Sequence, residues 1–595
     1  MHRIGAAVSP ESRVQSPESS KDEPHVAHSS REEALALDQV SFTYADTTIP
    51  ALREVSLQIR QGEMVVIMGA SGAGKSTLAK CLNRVIPAFQ NGQFTGEVRL
   101  FDKRLAVEKV GELAETIGMV FQDFEAQLFS TTVRDEVAFG LEQLGVEPAE
   151  MHHRLTTALA QVGLSGFEER DPTTLSGGQK QRLAIAALLA LRPRVLVFDE
   201  PTTDLDPEGR QEIFTLLGQM RTQGHTLVVI EHEITAALEA DRLLILAAGA
   251  IVADGPPHEL LPHVEMLEHY GIKPHDCDRL FPVLGVREYP RKPEAAATLL
   301  QQHSPAESLT VPSQEQHENQ QQPLLLSLHT ISHTYADGPS AVQQVSLTIG
   351  EGEFIALLGK NGSGKTTLAK HISGLLVPTH GQVLLRGKEL STLPLVQVAQ
   401  EVSYVFQNPD HQLFAETVEA EVAFGPQNIG LTSEEVRSRV DEALTAVGLQ
   451  HVREQDPFLL GRGERQRLAV AALLSMRPRV LILDEPTTGL DYREQRQMME
   501  LLKQLHRDGR TLIIITHVPW VAVEYAERAL LMSAGRLLWD GPMRSMCAQP
   551  ELCAQAAFRP PDVTLIGRKF GVTPLSVEEL LTWIHNSSQE RTFQS

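Results

Sequence analysis

Long apolar runs are missing from this chain. A membrane-spanning helix needs about 18 or more consecutive apolar residues, and the longest candidate, 243–253, has 11 with Gly249 inside it. That segment predicts a buried strand and a turn. The N-terminus passes from Met-His-Arg into Ser, Pro, Glu and Asp without an apolar leader core, so the chain is expected neither to span nor to cross a membrane. Cysteine is scarce. Cys81, Cys277, Cys547 and Cys553 are scattered without metal-ligand spacing, which argues against a disulfide framework and fits a reducing, cytoplasmic compartment. Basic charge is short too: 53 Lys+Arg face 76 Asp+Glu, a formal net charge of −23. Sequence-independent nucleic-acid binding needs Lys and Arg to displace counterions, so no nucleic-acid partner is expected.

What is present is ample core material. The 595 residues are 42% hydrophobic and 22% charged, close to soluble globular averages, and the length allows up to about four domains. An internal repeat organises them. "VFQDFEAQLFSTTVRDEVAFG" from 120 returns as "VFQNPDHQLFAETVEAEVAFG" from 405, an offset of 285, which "LRPRVLVFDEPTTDLD" from 191 and "MRPRVLILDEPTTGLD" from 476 share. A glycine-rich loop repeats at an offset of 290. The expected organisation is a disordered tail over 1–33, a first copy over 34–275, an extension and Gln/Pro-rich linker over 276–323, a second copy over 324–545 and a C-terminal subdomain over 546–595. Short apolar runs such as "EMVVIMG" and "EFIALLG" alternate with helix-length stretches at 179–191 and 208–222. That order predicts an α/β fold, a mostly parallel sheet with helices in each copy, and ligands beyond the strand carboxyl ends.

The chemistry begins where the first strands end. Gly69, Ala70, Ser71, Gly72, Ala73, Gly74, Lys75, Ser76 and Thr77 in one copy, and Gly359, Lys360, Asn361, Gly362, Ser363, Gly364, Lys365, Thr366 and Thr367 in the other, carry the phosphate-loop spacing of two glycines followed by Lys and Ser or Thr. Such a loop turns backbone N–H groups toward an anion, and the helix behind it adds its positive end. Lys75 and Lys365 would reach the β- and γ-phosphates of ATP, and Ser76 and Thr366 would ligate Mg²⁺. One match arises by chance in about 2% of chains this long; two matches, each after an apolar strand, exclude chance. Asp199-Glu200 and Asp484-Glu485 end later apolar strands. The first acid of each pair suits Mg²⁺, and the second suits polarising the attacking water.

"LSGGQKQR" at 175–182, Gln122 and Gln407 midway along each copy, "TDLD" and "TGLD" after the acids, and His232 and His517 closing the next strands complete a pattern. It resembles a tandem pair of ABC-type ATPase domains, over nearly the whole chain outside tail and linker. The resemblance implies a P-loop fold with a helical signature subdomain in each copy. It implies that Tyr44 and Tyr335 stack on adenine, that Gln122 and Gln407 sense Mg²⁺ and the attacking water, and that His232 and His517 contact the γ-phosphate. The copies would lie head to tail, each ATP between one phosphate loop and the other copy's signature. Ser176, Gly177, Gly178 and Gln179 form an intact signature, but the second copy reads "LGRGE" at 460–464. The Lys75 site is therefore expected to be impaired, slow or inactive, and the Lys365 site competent.

The stretch at 406–431, echoed at 121–145, is similar to the ATPases of energy-coupling-factor importers of vitamins or metal ions. That likeness implies a transmembrane coupling subunit, a small substrate-binding membrane subunit and a peripheral place on the cytoplasmic membrane face. Leu128, Phe129, Leu413 and Phe414, read as exposed, with Asp123, Glu125 and Asp410, would meet basic helices of the coupling subunit. Segments 280–300 and 562–584 echo each other and are expected to hold the copies together away from ATP. The second reading is a soluble tandem ABC protein acting on ribosomes, disfavoured by the acidic charge and the Gln/Pro-rich linker. A DNA-repair ATPase would need a long coiled coil or zinc cysteines, and neither is present. His152 and His153, adjacent on a polar helix, are given no metal role.

Overall fold

Strands form where the apolar runs were read. The structure, a computed structural model, describes residues 32–592 except 102, 106–109, 204, 304–322 and 337. The expected tail up to residue 31 and most of the linker lie outside the described residues. Met64–Met68, Val195–Asp199 and Thr226–Ile230 are buried along their whole length, as a parallel sheet covered on both faces demands. They sit in a six-stranded sheet in the order Ala250–Gly255, Arg242–Ala247, Met64–Met68, Thr226–Ile230, Val195–Asp199, Ile117–Val120. Only the edge pair, Arg242–Ala247 with Ala250–Gly255, is antiparallel. The segment read as strand and turn is that hairpin, with Gly249 turning at φ 80°.

The second half repeats the order with Val402–Val405, Val480–Asp484, Thr511–Ile515, Phe354–Leu358, Arg528–Ser533 and Arg536–Pro542. In each half a four-stranded antiparallel sheet covers one face, in the first half Leu52–Arg60, Glu33–Tyr44, Gly92–Leu100 and Lys103–Arg104. Leu35, Phe42 and Ile59 from it share one core with Val65, Ile67 and Leu78. The opposite face is covered by helices, among them Gly177–Ala190 and Pro207–Thr222. These begin one or two residues before the expected stretches because Ser176 and Asp206 cap them, accepting from Gln179 N and Gly209 N. The chain is thus two α/β domains, each a mostly parallel sheet with helices.

The C-terminal segments of the two halves meet. Asp276–Leu280 and Pro293–His303 from the first pack with Asp562–Arg568 and Val577–Thr592 from the second. Phe281, Ala297 and Leu300 share a buried core with Ile566, Leu580 and Trp583. Asp276 accepts from Val563 N at 3.0 Å, and Arg279 pairs with Glu578 at 2.5 Å. Among the described residues no helix is long and apolar enough to cross a membrane.

Candidate functional site

Each glycine-rich loop runs from a central strand into a helix, Lys75–Leu82 or Lys365–Ile372. The loop geometry admits only glycine at its ends. Gly69 has φ 147° and Gly359 142°, and a Cβ there would lie 2.1 Å from Leu246 O or 2.2 Å from Met532 O. The lysines fold back over their loops: Lys75 Nζ donates to Gly69 O at 2.8 Å and Ala70 O at 2.9 Å, and Lys365 Nζ to Gly359 O and Lys360 O at 2.8 Å. Burial lowers the proton affinity of both ammonium groups despite the acids around them. Tyr44 OH lies 3.0 Å from Thr77 Oγ1, and Tyr335 OH 3.3 Å from Thr367 Oγ1, so each ring stands beside the start of its loop helix.

The acids arrive as expected, one residue of each pair at the strand end and the next just beyond. Ser76 Oγ donates to Asp199 Oδ1 at 3.0 Å and Thr366 Oγ1 to Asp484 Oδ2 at 3.1 Å. A hydroxyl and a carboxylate suit a hard cation that fills its shell with water and phosphate oxygens. Burial, then Glu200, pushes Asp199 up to about 6, and burial raises Asp484. Tyr404 OH adds a 2.6 Å bond to Asp484, where the first half has Met119. Glu200 and Glu485 both sit at φ 50°, a strained conformation that persists only where the surroundings over-determine it.

Those two glutamates differ electrostatically. Glu200 accepts from Gln122 Nε2 at 2.7 Å and Thr203 Oγ1 at 3.2 Å, and lies 2.9 Å from His232 Nε2. Burial alone would raise it, but His232, Lys75 and the Thr203 hydroxyl hold it down at about 2. Glu485 Oε2 accepts from His517 N at 3.2 Å, while its Oε1, 3.2 Å from His517 Nε2, has no aligned hydrogen bond. Burial and Asp484 push Glu485 up to about 8; burial, Lys365 and Arg210 push His517 down to about 3. The first carboxyl is thus an engaged anion, the second a weaker acid beside a neutral ring.

The sequence reading missed Glu231, fully buried where the second half has Thr516. Its carboxylate accepts from Thr202 N at 3.1 Å, Thr202 Oγ1 at 2.6 Å and His232 N at 3.0 Å, yet burial pushes it up to about 7. A carboxyl raised on folding favours the native state below the unfolded value of 4.5 and loses that advantage as pH rises through about 7. The variant Glu231→Thr is expected to gain stability over the native chain by about 3 kcal/mol between pH 4.5 and 8. Melting temperatures across that range check it: a gap that does not change with pH contradicts the ionisation cost.

The halves lie head to tail. Asp206 Oδ1 caps its own helix, while its Oδ2 accepts from Asn361 N at 3.1 Å in the other half. Asp491 does the same toward Ser71 N at 2.9 Å, and Ser71 Oγ donates to Glu494 at 2.9 Å. A cavity of about 550 Å³ is lined by Tyr335, Lys365, Thr366, Gln407, Asp484, Glu485 and His517. The first half contributes Thr202, Thr203, Leu205, Arg210 and His232 to it. Ser176, Gly177, Gly178 and Gln179, expected to close this site, are not among its lining residues; Ser176 and Gln179 bond each other as a capping box. In the degenerate signature Glu464 accepts from Gly461 N at 3.0 Å, as Gln179 does from Ser176 N in the intact one. Arg462 lies against Gly489 of its own half, where a Cβ would meet its guanidinium carbon at 2.5 Å.

The apolar residues after the glutamines divide. Phe129 and Phe414 are 63% and 59% exposed, but Leu413 is buried, correcting the reading of it as exposed, and Leu128 packs against the core. Adjacent residues on extended backbone point to opposite sides. Buried Glu136 and Glu421 shape each turn by accepting from two successive backbone N–H groups, at 2.8 to 3.0 Å. Each exposed ring stands edge-on to a second one, Phe139 or Phe424, at 4.7 Å. Two of the acids expected to face a partner are already matched, Glu125 by Lys180 at 3.0 Å and Asp410 by Arg465 at 2.8 Å.

The family described as "ABC transporter" matches residues 52–203 and 342–488. A protein of Caldanaerobacter subterraneus subsp. tengcongensis described as an ABC transporter ATP-binding protein is 44% identical over 89% of this chain and 95% of its own. A Methanosarcina acetivorans protein of the same description is 40% identical over 92% of each chain. Among solved structures, cbiO1 from Clostridium perfringens, part of the ABC transporter complex cbiONQ, is 34% identical over 42% of this chain and all of its own, with a TM-score of 0.37.

Proposed function

The chain belongs to the ABC transporter family as an ATP-binding ATPase with two domains in tandem, and on that premise we propose that it energises an importer of the energy-coupling-factor type, with hydrolysis at the Lys365 site. The observation carrying the importer reading is the doubled aromatic patch, Phe129 with Phe139 and Phe414 with Phe424, exposed beside the Gln122 and Gln407 loops. Paired patches of this kind fit a membrane subunit that contacts both halves. The substrate class is a vitamin or a metal ion, and the chain sits peripherally on the cytoplasmic membrane face. The relatives are transporter proteins by description, which leaves the ribosome reading without support.

At the Lys365 site the backbone N–H groups and Lys365 bind the phosphates, and Tyr335 takes the adenine. Thr366, Asp484 and Gln407 would hold Mg²⁺, which would supply neutralisation of the phosphate charge; Ser76, Asp199 and Gln122 are the equivalent residues in the other half. A water oxygen bonds to the γ-phosphorus as the bond to the β,γ-bridging oxygen breaks, its electrons leaving with ADP. The water's proton passes to Glu485 Oε1, which has no aligned donor of its own, while His517 contacts the γ-phosphate. At the Lys75 site Glu200 is engaged by Gln122, Thr203 and His232, which makes it a poor base. Closure of the halves on ATP and reopening after hydrolysis would move the membrane partner.

Purification from detergent-solubilised membranes tests this reading. The native chain should bring down a multispan protein together with a small substrate-binding membrane protein. The double variant Phe129→Ser, Phe414→Ser should lose both, with an unchanged melting temperature because each ring is exposed. Ribosomal proteins without a membrane partner would overturn the importer reading.

A further inference from the structure

The helices after the acidic strands, Pro207–Thr222 and Tyr492–Arg507, start in the same way, each capped by an aspartate that also reaches the other half. One turn in, the copies part: Arg210 stands where the second half has Gln495. Arg210 Nη1 donates to Glu233 Oε1 at 2.7 Å, and Glu233 is matched by Val518. The arginine and its carboxylate clamp therefore exist together in one half and are absent together from the other. Gln495 borders the same cavity but turns to its own loop, its Nε2 bonded to Thr487 O at 3.3 Å and Leu490 O at 3.1 Å.

Arg210 has its side chain 18% exposed and its Nε buried without a hydrogen-bond partner. It lines the cavity that Lys365, Thr366, Asp484, Glu485 and His517 line from the opposite half. Its charge acts on both Glu485 and His517. A buried guanidinium nitrogen without an acceptor carries an unmet cost, and the planar fork left open beside one carboxylate matches phosphate oxygens. Glu233 fixes the fork's direction and leaves the remaining nitrogens for an anion.

We propose that Arg210 completes the Lys365 site from the other half by binding the terminal phosphate of a nucleoside triphosphate, so that this site distinguishes triphosphate from diphosphate through a residue outside its own domain. The proposal rests on hydrolysis being assigned to the Lys365 site. It gives the two halves a chemical division of labour: the first supplies a cation to the site it faces, and the second, at the Lys75 loop, presents the Glu494 carboxylate.

The test uses the full chain. Arg210→Gln, which installs the residue of the second half, and Arg210→Lys are compared with the native protein for kcat and KM. ATP and ADP affinities are measured in a Glu485→Gln background. Arg210→Gln is expected to lower kcat about tenfold or more and to cut the preference for ATP over ADP by a similar factor, with Arg210→Lys restoring part of both. An unchanged kcat and ATP/ADP ratio, or ATP and ADP weakened alike, would overturn the proposal. Lys365→Ala and Lys75→Ala separate it from the reading beneath it. Hydrolysis lost with Lys365→Ala but kept with Arg210→Gln sinks only the arginine's role; hydrolysis kept with Lys365→Ala and lost with Lys75→Ala sinks the site assignment.

Discussion

Replacing Glu485 by Gln is expected to reduce steady-state ATP hydrolysis by about 100-fold or more, the scale of losing a positioned general base, while Glu200→Gln leaves most of the rate. The two residues occupy equivalent strand ends and share φ 50°, so backbone geometry does not separate them. Their partners do. Glu200 receives donors from Gln122, Thr203 and His232 and is held at about 2, which leaves little proton affinity for a water. Glu485 keeps one oxygen without an aligned donor, and burial and Asp484 raise it to about 8, so its ionised form, the form that can act as a base, holds a proton far more strongly than Glu200 does. Single-turnover phosphate release from each variant decides the matter. Equal losses from both substitutions would mean that the sites work alike and that the asymmetry of their hydrogen bonds has no catalytic weight.

Deleting residues 562–595 is expected to lower turnover about tenfold or more and to increase the hydrodynamic radius. The segment supplies half of the core shared by the two C-terminal extensions, with Val563, Ile566, Leu580 and Trp583 all buried. Each such side chain contributes about 1.5–3 kcal/mol by burial. The deletion also removes the Arg279–Glu578 pair and the bond from Val563 N to Asp276. Contacts of Asp206 and Asp491 with the opposite loops remain, but they are few and polar. Trp583→Ala, a smaller lesion, should cost about 3–5 kcal/mol and shift the same two readouts in the same direction. Size-exclusion chromatography with a phosphate-release assay on both variants checks this. A compact chain with full activity after the deletion would show that the polar loop contacts suffice.

The repeat, both phosphate loops and both acidic pairs are legible in the sequence because each is a short string whose spacing is dictated by local geometry. The central strands are legible for the same reason: a strand buried on both faces is an unbroken apolar run. The antiparallel sheet is not, because Glu33–Tyr44 carries register shifts between Leu37 and Val40 and between Val40 and Phe42, which break the alternation that would mark it. Leu413 and Phe414 look alike in the sequence because apolar character does not reveal which side of an extended segment a residue takes, yet one is buried and the other exposed. Arg210, Glu231 and Tyr404 escape for another reason. Each matters through groups far away in sequence, yet each is also a mismatch between the copies, with Gln495, Thr516 and Met119 opposite. Reading the repeat for its differences, as the signature was read, would have found all three.

The joint C-terminal core also bears on statistics. Two unlike ATPase subunits encoded separately would sort into like and unlike pairs, and the active arrangement would be only a fraction of the assemblies formed. Here the peptide link and the common core make pairing intramolecular, at a high effective concentration that dilution does not alter. Every molecule is born with one copy of each kind of loop, acid and signature, so the composition of the pair is set at synthesis rather than by mass action. Divergence of one half then carries no penalty in misassembled partners. That freedom is written in the Arg210–Glu233 pair and in the Gln495 and Val518 that replace it.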